Sequence, residues 1–129
     1  MNNIDIVKQA YKSFAEGKIE AVLSVFDSEI VWEESKGFPY VKNDGIYRGQ
    51  KEIVDNVLVN IPKYMDDFMI HIDDLFGAEN KVVMAGHYGG VWKETGKRFM
   101  ANAAHVWTID NGKVKHFFQV SDTAAIMNS

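Results

Sequence analysis

The first quarter of the chain carries apolar residues at helical spacing. This spacing predicts a first helix over Ile4 to Glu16, with Asn3 as its N-cap and Gly17 in the left-handed position that follows its end. A second helix is predicted over Ile19 to Phe26, with its apolar residues on one face. The two helices are therefore expected to form a helical hairpin.

Further along the chain, the spacing of the apolar residues changes from helical to alternating, which predicts a sheet. Glu29 to Ser35 is rich in β-forming residues and predicts a first strand. A third helix is expected from about Gln50 to Asn60, stopped by Pro62. Four more strands follow at period two, separated by short turns: Phe68 to Phe76, Lys81 to Lys93, Lys97 to Asp110 and Lys113 to Ser121. Short connections require antiparallel neighbours, so the pattern predicts an α+β fold with helices covering one side of a meander.

The turn at Thr95-Gly96 sets which side chains share a face of this sheet. A two-residue turn there pairs Glu94 with Lys97, and counting back gives the pairs Trp92–Phe99, Tyr88–Ala103 and Gly86–His105. Tyr88 and His105 are then expected on one face, with His87 on the opposite face.

The next turn leaves two registers open. A two-residue Asn111-Gly112 turn aligns His105 with Phe118. A three-residue loop that starts at Asp110 aligns His105 with Phe117 instead and brings Gln119 onto the same face.

Composition narrows the class of protein. The 129 residues are 47% hydrophobic, which predicts one domain over residues 1–129 with a packed core. The net charge of -4 and the lack of basic runs argue against nucleic acid or membrane as a partner. There is no cysteine, so no disulfide or thiolate chemistry is expected. The start of the sequence lacks a signal-like segment, which favours a cytoplasmic protein.

Several polar residues are candidates for chemistry in an enclosed pocket. Glu33 at the end of the first strand is a candidate general base, and Glu34 replaces it if the strand faces the other way. His105, midway along an apolar strand, is either a hydrogen-bonding group of the pocket or a satisfied core histidine. Tyr88 supplies a hydroxyl that can donate to a carbonyl oxygen.

Other residues suit the wall of such a pocket rather than a reaction. An aromatic-rich interior favours a flat, apolar ligand. Asp122 precedes a short apolar segment and is read either as an N-cap or as an acid. His71 and Asp73 share a strand face, but no third ligand supports a metal site. No cofactor is required. The ligand-binding candidates are Gln119, Phe117, Phe99, Trp32, Tyr11 and Asp122.

Four stretches together resemble the SnoaL-like and ketosteroid-isomerase-related proteins of the nuclear transport factor 2 (NTF2-like) superfamily. They are Tyr11 to Val25, Tyr47-Arg48-Gly49, Thr95 to Phe99, and Ala104 to Val106 continuing to Asp122-Thr123-Ala124. The resemblance implies a cone-shaped half-barrel, in which a curved antiparallel sheet wraps around N-terminal helices. It also implies a homodimer formed through the outer face of the sheet.

The resemblance also assigns roles to single positions. Glu33 matches the proton-moving carboxylate of the isomerases, and His105 matches one donor to their oxyanion. Ala10 matches the tyrosine that is their second donor, and Tyr11 lies one position away. Gln119 matches the acid-base aspartate of the cyclases, and an amide cannot exchange that proton.

These observations favour one function and leave two rivals. The leading hypothesis is a pocket protein of the isomerase or cyclase type that moves a proton on a small apolar carbonyl or cyclic compound without a cofactor, with Glu33 as base and His105 and Tyr88 as donors. The first rival is a non-catalytic protein that binds a hydrophobic ligand. The second is a protein-interaction module that uses the outer sheet face.

Overall fold

The computed structural model describes residues 2–128. The helices are α1 (Asn3–Ala15), α2 (Ile19–Leu23), α3 (Gly49–Ile53), α4 (Asn60–Tyr64) and α5 (Thr123–Met127). The segments Asn43–Gly45 and Val54–Leu58 form a 3₁₀ turn and a π-helical turn. The strands are β1 (Phe26–Glu33), β2 (Ile46–Arg48), β3 (Met65–Ala78), β4 (Lys81–Trp92), β5 (Lys97–Asp110) and β6 (Lys113–Ser121).

The predicted helical hairpin is present, with two corrections at its ends. The N-cap of α1 is Asn2 rather than Asn3, because the side chain of Asn2 accepts from the backbone N–H of Asp5. Gly17 has the predicted left-handed backbone, with φ of 74°. The predicted extension of α2 to Phe26 is wrong, since Phe26 begins β1 and pairs with Val114 of β6.

The third predicted helix does not stop before Pro62. The π-helical turn follows α3 directly, and the N–H of Val59 donates to the carbonyl of Val54, five residues back. The chain then enters α4, where Pro62 lies in the first turn. A first-turn residue needs no N–H for the helix, so a proline is tolerated there.

The strands form one curved sheet with the order β2-β1-β6-β5-β4-β3. Strands β3 to β6 form the predicted antiparallel meander. Strand β1, however, runs parallel to β6, and β2 adds an edge strand that the pattern did not predict. The predicted α+β half-barrel is confirmed: helices fill one side of an open, mostly antiparallel sheet.

The predicted pairing of β4 with β5 is wrong by two residues. The last pair is Trp92 with Lys97, so the loop between them has four residues rather than two. Tyr88 faces Ala101, and His105 faces Met84. Because a shift of two keeps every side chain on its face, Tyr88 and His105 still share the inner face.

Neither predicted register gives the observed pairs of β5 and β6, but the facing that the three-residue loop predicts, with Phe117 and Gln119 on the face of His105, is confirmed. The turn is the two-residue Asn111-Gly112 turn, with φ of 51° and 75°. The register then shifts between Thr108 and Ile109, which makes Lys115 the extra residue of a β-bulge in β6. His105 consequently faces Gln119, and Phe117 and Gln119 turn inward with it.

Strand β3 passes close to Gly86 of β4. A Cβ atom at Gly86 would lie 1.9 Å from the carbonyl oxygen of His71. The register of β3 also shifts between Ile72 and Asp74 at this point. Only glycine permits this approach of the two backbones, and the shift marks a β-bulge at the same place, a feature that bends and twists a strand.

Candidate functional site

An interior cavity of about 60 Å³ lies between the helices and the inner face of the sheet. Most of its wall is apolar and comes from α1, α2, the π-helical turn, α4 and β3, with Phe14, Val22, Leu58, Ile61, Phe68 and Ile70 among the contributors. Besides two tryptophans, four residues bring polar atoms to this wall: Tyr11, Tyr88, His105 and Gln119. The cavity therefore combines an apolar body with one polar patch.

His105 stands at the centre of that patch, held between two tyrosine hydroxyls. The hydroxyl oxygen of Tyr11, on α1, lies 2.7 Å from Nδ1 of His105. The hydroxyl of Tyr88 makes a hydrogen bond with Nε2 of the same ring. Trp107, two residues further along β5, donates from Nε1 to the hydroxyl oxygen of Tyr11 at 2.8 Å. Both ring nitrogens of the buried histidine are thus partnered.

A chain of hydrogen bonds continues from Tyr88 to the molecular surface. Nε2 of Gln119 donates to the hydroxyl oxygen of Tyr88 at 2.9 Å. Oε1 of Gln119 accepts from the N–H of Ser35 at 3.1 Å and from its hydroxyl at 2.7 Å. The hydroxyl of Ser121 in turn donates to that of Ser35 at 2.8 Å. Gln119 therefore reaches both the cavity and an outer pocket at the ends of β1 and β6.

Burial sets the protonation of these groups. Loss of solvent lowers the pKa of His105 to about 3, since a charged imidazole would be left without water. Burial also raises the pKa of Tyr11 and of Tyr88 well above the ordinary tyrosine value. At neutral pH the patch is consequently uncharged, with a neutral histidine and two protonated tyrosines.

Glu33, the predicted base, does not face the cavity. Ile30 and Trp32 point inward along β1, so Glu33 points outward, where its carboxylate lies 2.6 Å from Nε2 of His116. Its neighbour Glu34, the alternative, is 5% exposed and accepts a hydrogen bond from Nε1 of Trp32. Burial raises the pKa of Glu34 to about 7. The buried carboxyl next to the site is therefore Glu34.

The remaining candidates divide into two groups. Trp32 and Phe117 line the cavity and stack on each other with ring centroids 3.9 Å apart. Phe99 lies outside the cavity, in a second apolar cluster that includes Tyr88 and Trp92. Asp122 is also outside, and its side chain accepts from the N–H of Ala125. Asp122 is the N-cap of α5 and does not line the cavity.

Three residues of the hydrogen-bond network had no predicted hydrogen-bonding role: Trp107, Ser35 and Ser121. Trp107 lies two positions after His105, so the alternation along β5 already placed it on the same face. Ser35 follows the end of β1, and nothing in the local sequence indicates that its backbone N–H meets Gln119. This contact depends on the parallel pairing of β1 with β6.

Two further features bear on the class of site. Among residues 2–128, no three His, Cys, Asp or Glu side chains come together in a way that could hold a metal ion. In the same part of the chain, no helix is long and apolar enough to cross a membrane.

Comparison with known proteins identifies a family and solved structures with the same fold. The family model of the SnoaL-like domain matches residues 7–117. An NTF2-like protein from Burkholderia thailandensis E264 is 34% identical, with a TM-score of 0.89 over 97% of this chain and 94% of that chain. An NTF2-like protein of unknown function from Burkholderia pseudomallei K96243 is 20% identical, with a TM-score of 0.87 over 98% of this chain and 99% of that one.

TerC, crystallised with polyporic acid, has the same fold: it is 21% identical, with a TM-score of 0.85 over 98% of each chain. None of the curated proteins compared matches the sequence. The match of the family model and the 34% identity to an NTF2-like protein together establish that this chain belongs to the SnoaL-like family of NTF2-like proteins.

Proposed function

We propose that the interior cavity binds a small, largely apolar molecule that carries a carbonyl-type oxygen. The observation that supports this proposal best is the uneven wall of the cavity, which places hydroxyl groups of Tyr11 and Tyr88 beside His105 on an otherwise mostly apolar surface. A ring or short chain would occupy the apolar part, and its oxygen would meet the polar patch.

The charge of the site favours a neutral ligand over a carboxylate. His105 is uncharged at neutral pH because burial lowers its pKa to about 3. Among residues 2–128, no lysine or arginine lines the cavity, and the buried carboxyl of Glu34 lies close enough to raise the pKa of Tyr88. A carboxylate would therefore lose its hydration without gaining a cation.

The volume limits the size of the ligand. At about 60 Å³ the cavity is smaller than the engineered cavity of about 150 Å³ that is known to bind benzene in another protein. A six-membered ring therefore requires movement of cavity-wall side chains. Phe14, Leu58 and Ile61 are suited to this, because each lines the cavity yet is only partly buried.

Binding can be tested with three molecules that share a six-membered ring: cyclohexanone, cyclohexanecarboxylate and methylcyclohexane. Quenching of tryptophan fluorescence is a suitable signal, since Trp32 and Trp107 line the cavity. We expect cyclohexanone to bind roughly fivefold more tightly than either of the others, as one hydrogen bond contributes about 1 kcal/mol.

A matched pair of variants locates the binding. Ala10→Leu fills the cavity, because Ala10 is buried in its wall, and should abolish binding of cyclohexanone. Ala21→Leu makes the same change at an exposed position of α2 and should leave the affinity unchanged. Equal affinity in both variants would contradict the proposal.

Glu34 lines the adjoining outer pocket rather than the cavity. It favours a second candidate function, in which a bound molecule that displaces the cavity wall towards that pocket also exchanges a proton with this carboxyl group. A carboxyl group with a pKa of about 7 can act as a base at neutral pH. In D₂O, the protein would then catalyse exchange of the hydrogens next to the carbonyl of cyclohexanone, which NMR detects. Glu34→Gln should abolish this exchange, and Glu33→Gln should not. Binding without exchange above the buffer rate would indicate a non-catalytic ligand-binding protein.

A further inference from the structure

The two tyrosines beside His105 each accept one hydrogen bond that is fixed. Nε1 of Trp107 can only donate, and it donates to the hydroxyl oxygen of Tyr11. The amide of Gln119 is oriented by the backbone N–H of Ser35, which requires an oxygen as its partner. The amide nitrogen of Gln119 therefore faces Tyr88 and donates to its hydroxyl oxygen.

The hydroxyl protons of both tyrosines then compete for one acceptor. Within residues 2–128, the partners of the Tyr11 and Tyr88 hydroxyls are those two donors and the ring nitrogens of His105. A neutral imidazole has one N–H and one bare nitrogen. His105 can consequently accept a hydrogen bond from one tyrosine hydroxyl, and it must donate a hydrogen bond to the other.

Neutrality of His105 follows from its surroundings. The side chain is 2% exposed, and the groups within hydrogen-bond distance of its ring nitrogens are the two hydroxyls. A buried imidazolium without a carboxylate partner costs several kcal/mol, so the neutral ring is the stable form. One tyrosine O–H is therefore left without an acceptor, on a residue that lines the cavity.

We infer that the single ring proton of His105 decides which tyrosine presents a free O–H to the cavity. With the proton on Nδ1, Tyr88 donates to the ring and Tyr11 is free. With the proton on Nε2, Tyr11 donates to the ring and Tyr88 is free. This inference rests on the proposed function and specifies the ligand as a ketone or an aldehyde, which has a single neutral oxygen acceptor. The position of that oxygen in the cavity selects the tautomer of His105.

Nitrogen-15 NMR of protein labelled at histidine tests the switch, because the two neutral tautomers and the charged ring have distinct ring shifts. In Tyr11→Phe, we expect the proton on Nε2, since the hydroxyl of Tyr88 can rotate into the cavity whereas a ring N–H at Nδ1 could not turn away from the phenyl group. In Tyr88→Phe, the same reasoning places the proton on Nδ1. Tyr40→Phe removes a buried hydroxyl elsewhere and should leave the wild-type spectrum unchanged.

The same tautomer in both variants would overturn the switch. A charged His105 ring in the wild type at pH 7 would also overturn it, and that measurement does not depend on the folding of a variant.

The affinity for cyclohexanone provides a second test. This affinity should stay within roughly threefold of wild type in each variant, because the remaining tyrosine supplies the donor. A loss of about fivefold or more in one variant alone would fix the donor on that tyrosine and overturn the inference. Opposite tautomers without any binding of cyclohexanone to the wild type would refute the proposed function and leave the switch intact.

Discussion

Gln119 lies directly opposite His105 across strands β5 and β6, and its amide nitrogen donates to Tyr88, which also contacts that histidine. The amide oxygen is occupied by Ser35, so both ends of the side chain are fixed. An amide suits this position because it offers a donor at one end and an acceptor at the other without carrying a charge.

Gln119→Glu should therefore destabilise the protein more at pH 8 than at pH 5. The new carboxyl would be buried close to Glu34, and its ionised form cannot donate to Tyr88. We expect a loss of roughly 2–4 kcal/mol in the free energy of unfolding at pH 8, measured by urea denaturation. Gln9→Glu, the same change on the exposed face of α1, should have almost no effect. A loss that is equal at both pH values would contradict this account.

Glu34 should make the stability depend on pH. Burial raises its pKa from the ordinary 4.5 to about 7, so between these values the folded state binds more protons than the unfolded state. Stability then falls as pH rises from 4.5 to 7, by about 3 kcal/mol in total from this one group. Below 4.5 this destabilisation is absent, and above 7 it is complete.

Removal of the charge tests that pH dependence. Glu34→Gln keeps an oxygen for Nε1 of Trp32, and its stability relative to wild type should increase between pH 5 and pH 8. Glu94→Gln makes the same change at an exposed position of the loop between β4 and β5, and its difference from wild type should change little over that range. Parallel curves for wild type and Glu34→Gln would show that the carboxyl group does not titrate between these values.

The close backbone approach at Gly86 should tolerate no side chain. Gly86→Ala places a Cβ atom 1.9 Å from the carbonyl oxygen of His71, so the backbone must move. We expect thermal unfolding to show a loss of about 3 kcal/mol or more. Gly96→Ala has open space around the new atom and adds only the strain of φ at 71°, about 1–2 kcal/mol. Similar losses in the two variants would mean that the sheet relaxes at Gly86.

Asp122 should behave as a helix cap rather than as a ligand-site acid. Asp122→Ala removes the bond to the N–H of Ala125 and should reduce stability by about 1 kcal/mol. Asp122→Asn retains a capping oxygen and should restore most of that stability. Both variants should bind cyclohexanone with the affinity of the wild type. Weaker binding in either one would indicate that Asp122 contributes to the ligand site.

The outer face of the sheet should mediate association of two copies. Met100 on β5 is 64% exposed, and Phe118 and Val120 on β6 are exposed on the same face. Large apolar side chains exposed on one sheet face can mark an interface. We expect sedimentation to give a dimer for the wild type and a monomer for Met100→Glu, with Lys97→Glu unchanged from wild type. A monomeric wild type would rule out this use of the face.

Alternation along the strands predicted most of the site. Tyr88 and His105 were placed on one face correctly, because the error in their hairpin was two residues and left each side chain on its face. Alternation would also have identified Glu34: Ile30 and Trp32 point inward, so the next inward position is 34. The position at the strand end and the family resemblance both favoured Glu33, but neither determines which way the strand faces.

Contacts between distant segments could not be predicted in this way. Ser35 meets Gln119 because β1 runs parallel to β6, and such a pairing has no signature in the local sequence. The hydrogen bond between Tyr11 and His105 likewise joins residues that are 94 positions apart. Packing of α1 onto the sheet brings them together, and helical periodicity indicates only which face of α1 is buried.

The β-bulge at Lys115 separates the hairpin turn from the part of β6 that lines the cavity. If Lys115 were paired instead of bulged, the register set by the turn would put Phe118 opposite His105 and turn Gln119 outward. Deletion of Lys115 would not have this effect, because His116 would then pair directly after Val114 and Gln119 would stay opposite His105. The bulge therefore absorbs one residue of hairpin length without changing which side chains of β6 line the cavity, so relatives of this chain can differ by one residue here and keep the same cavity wall.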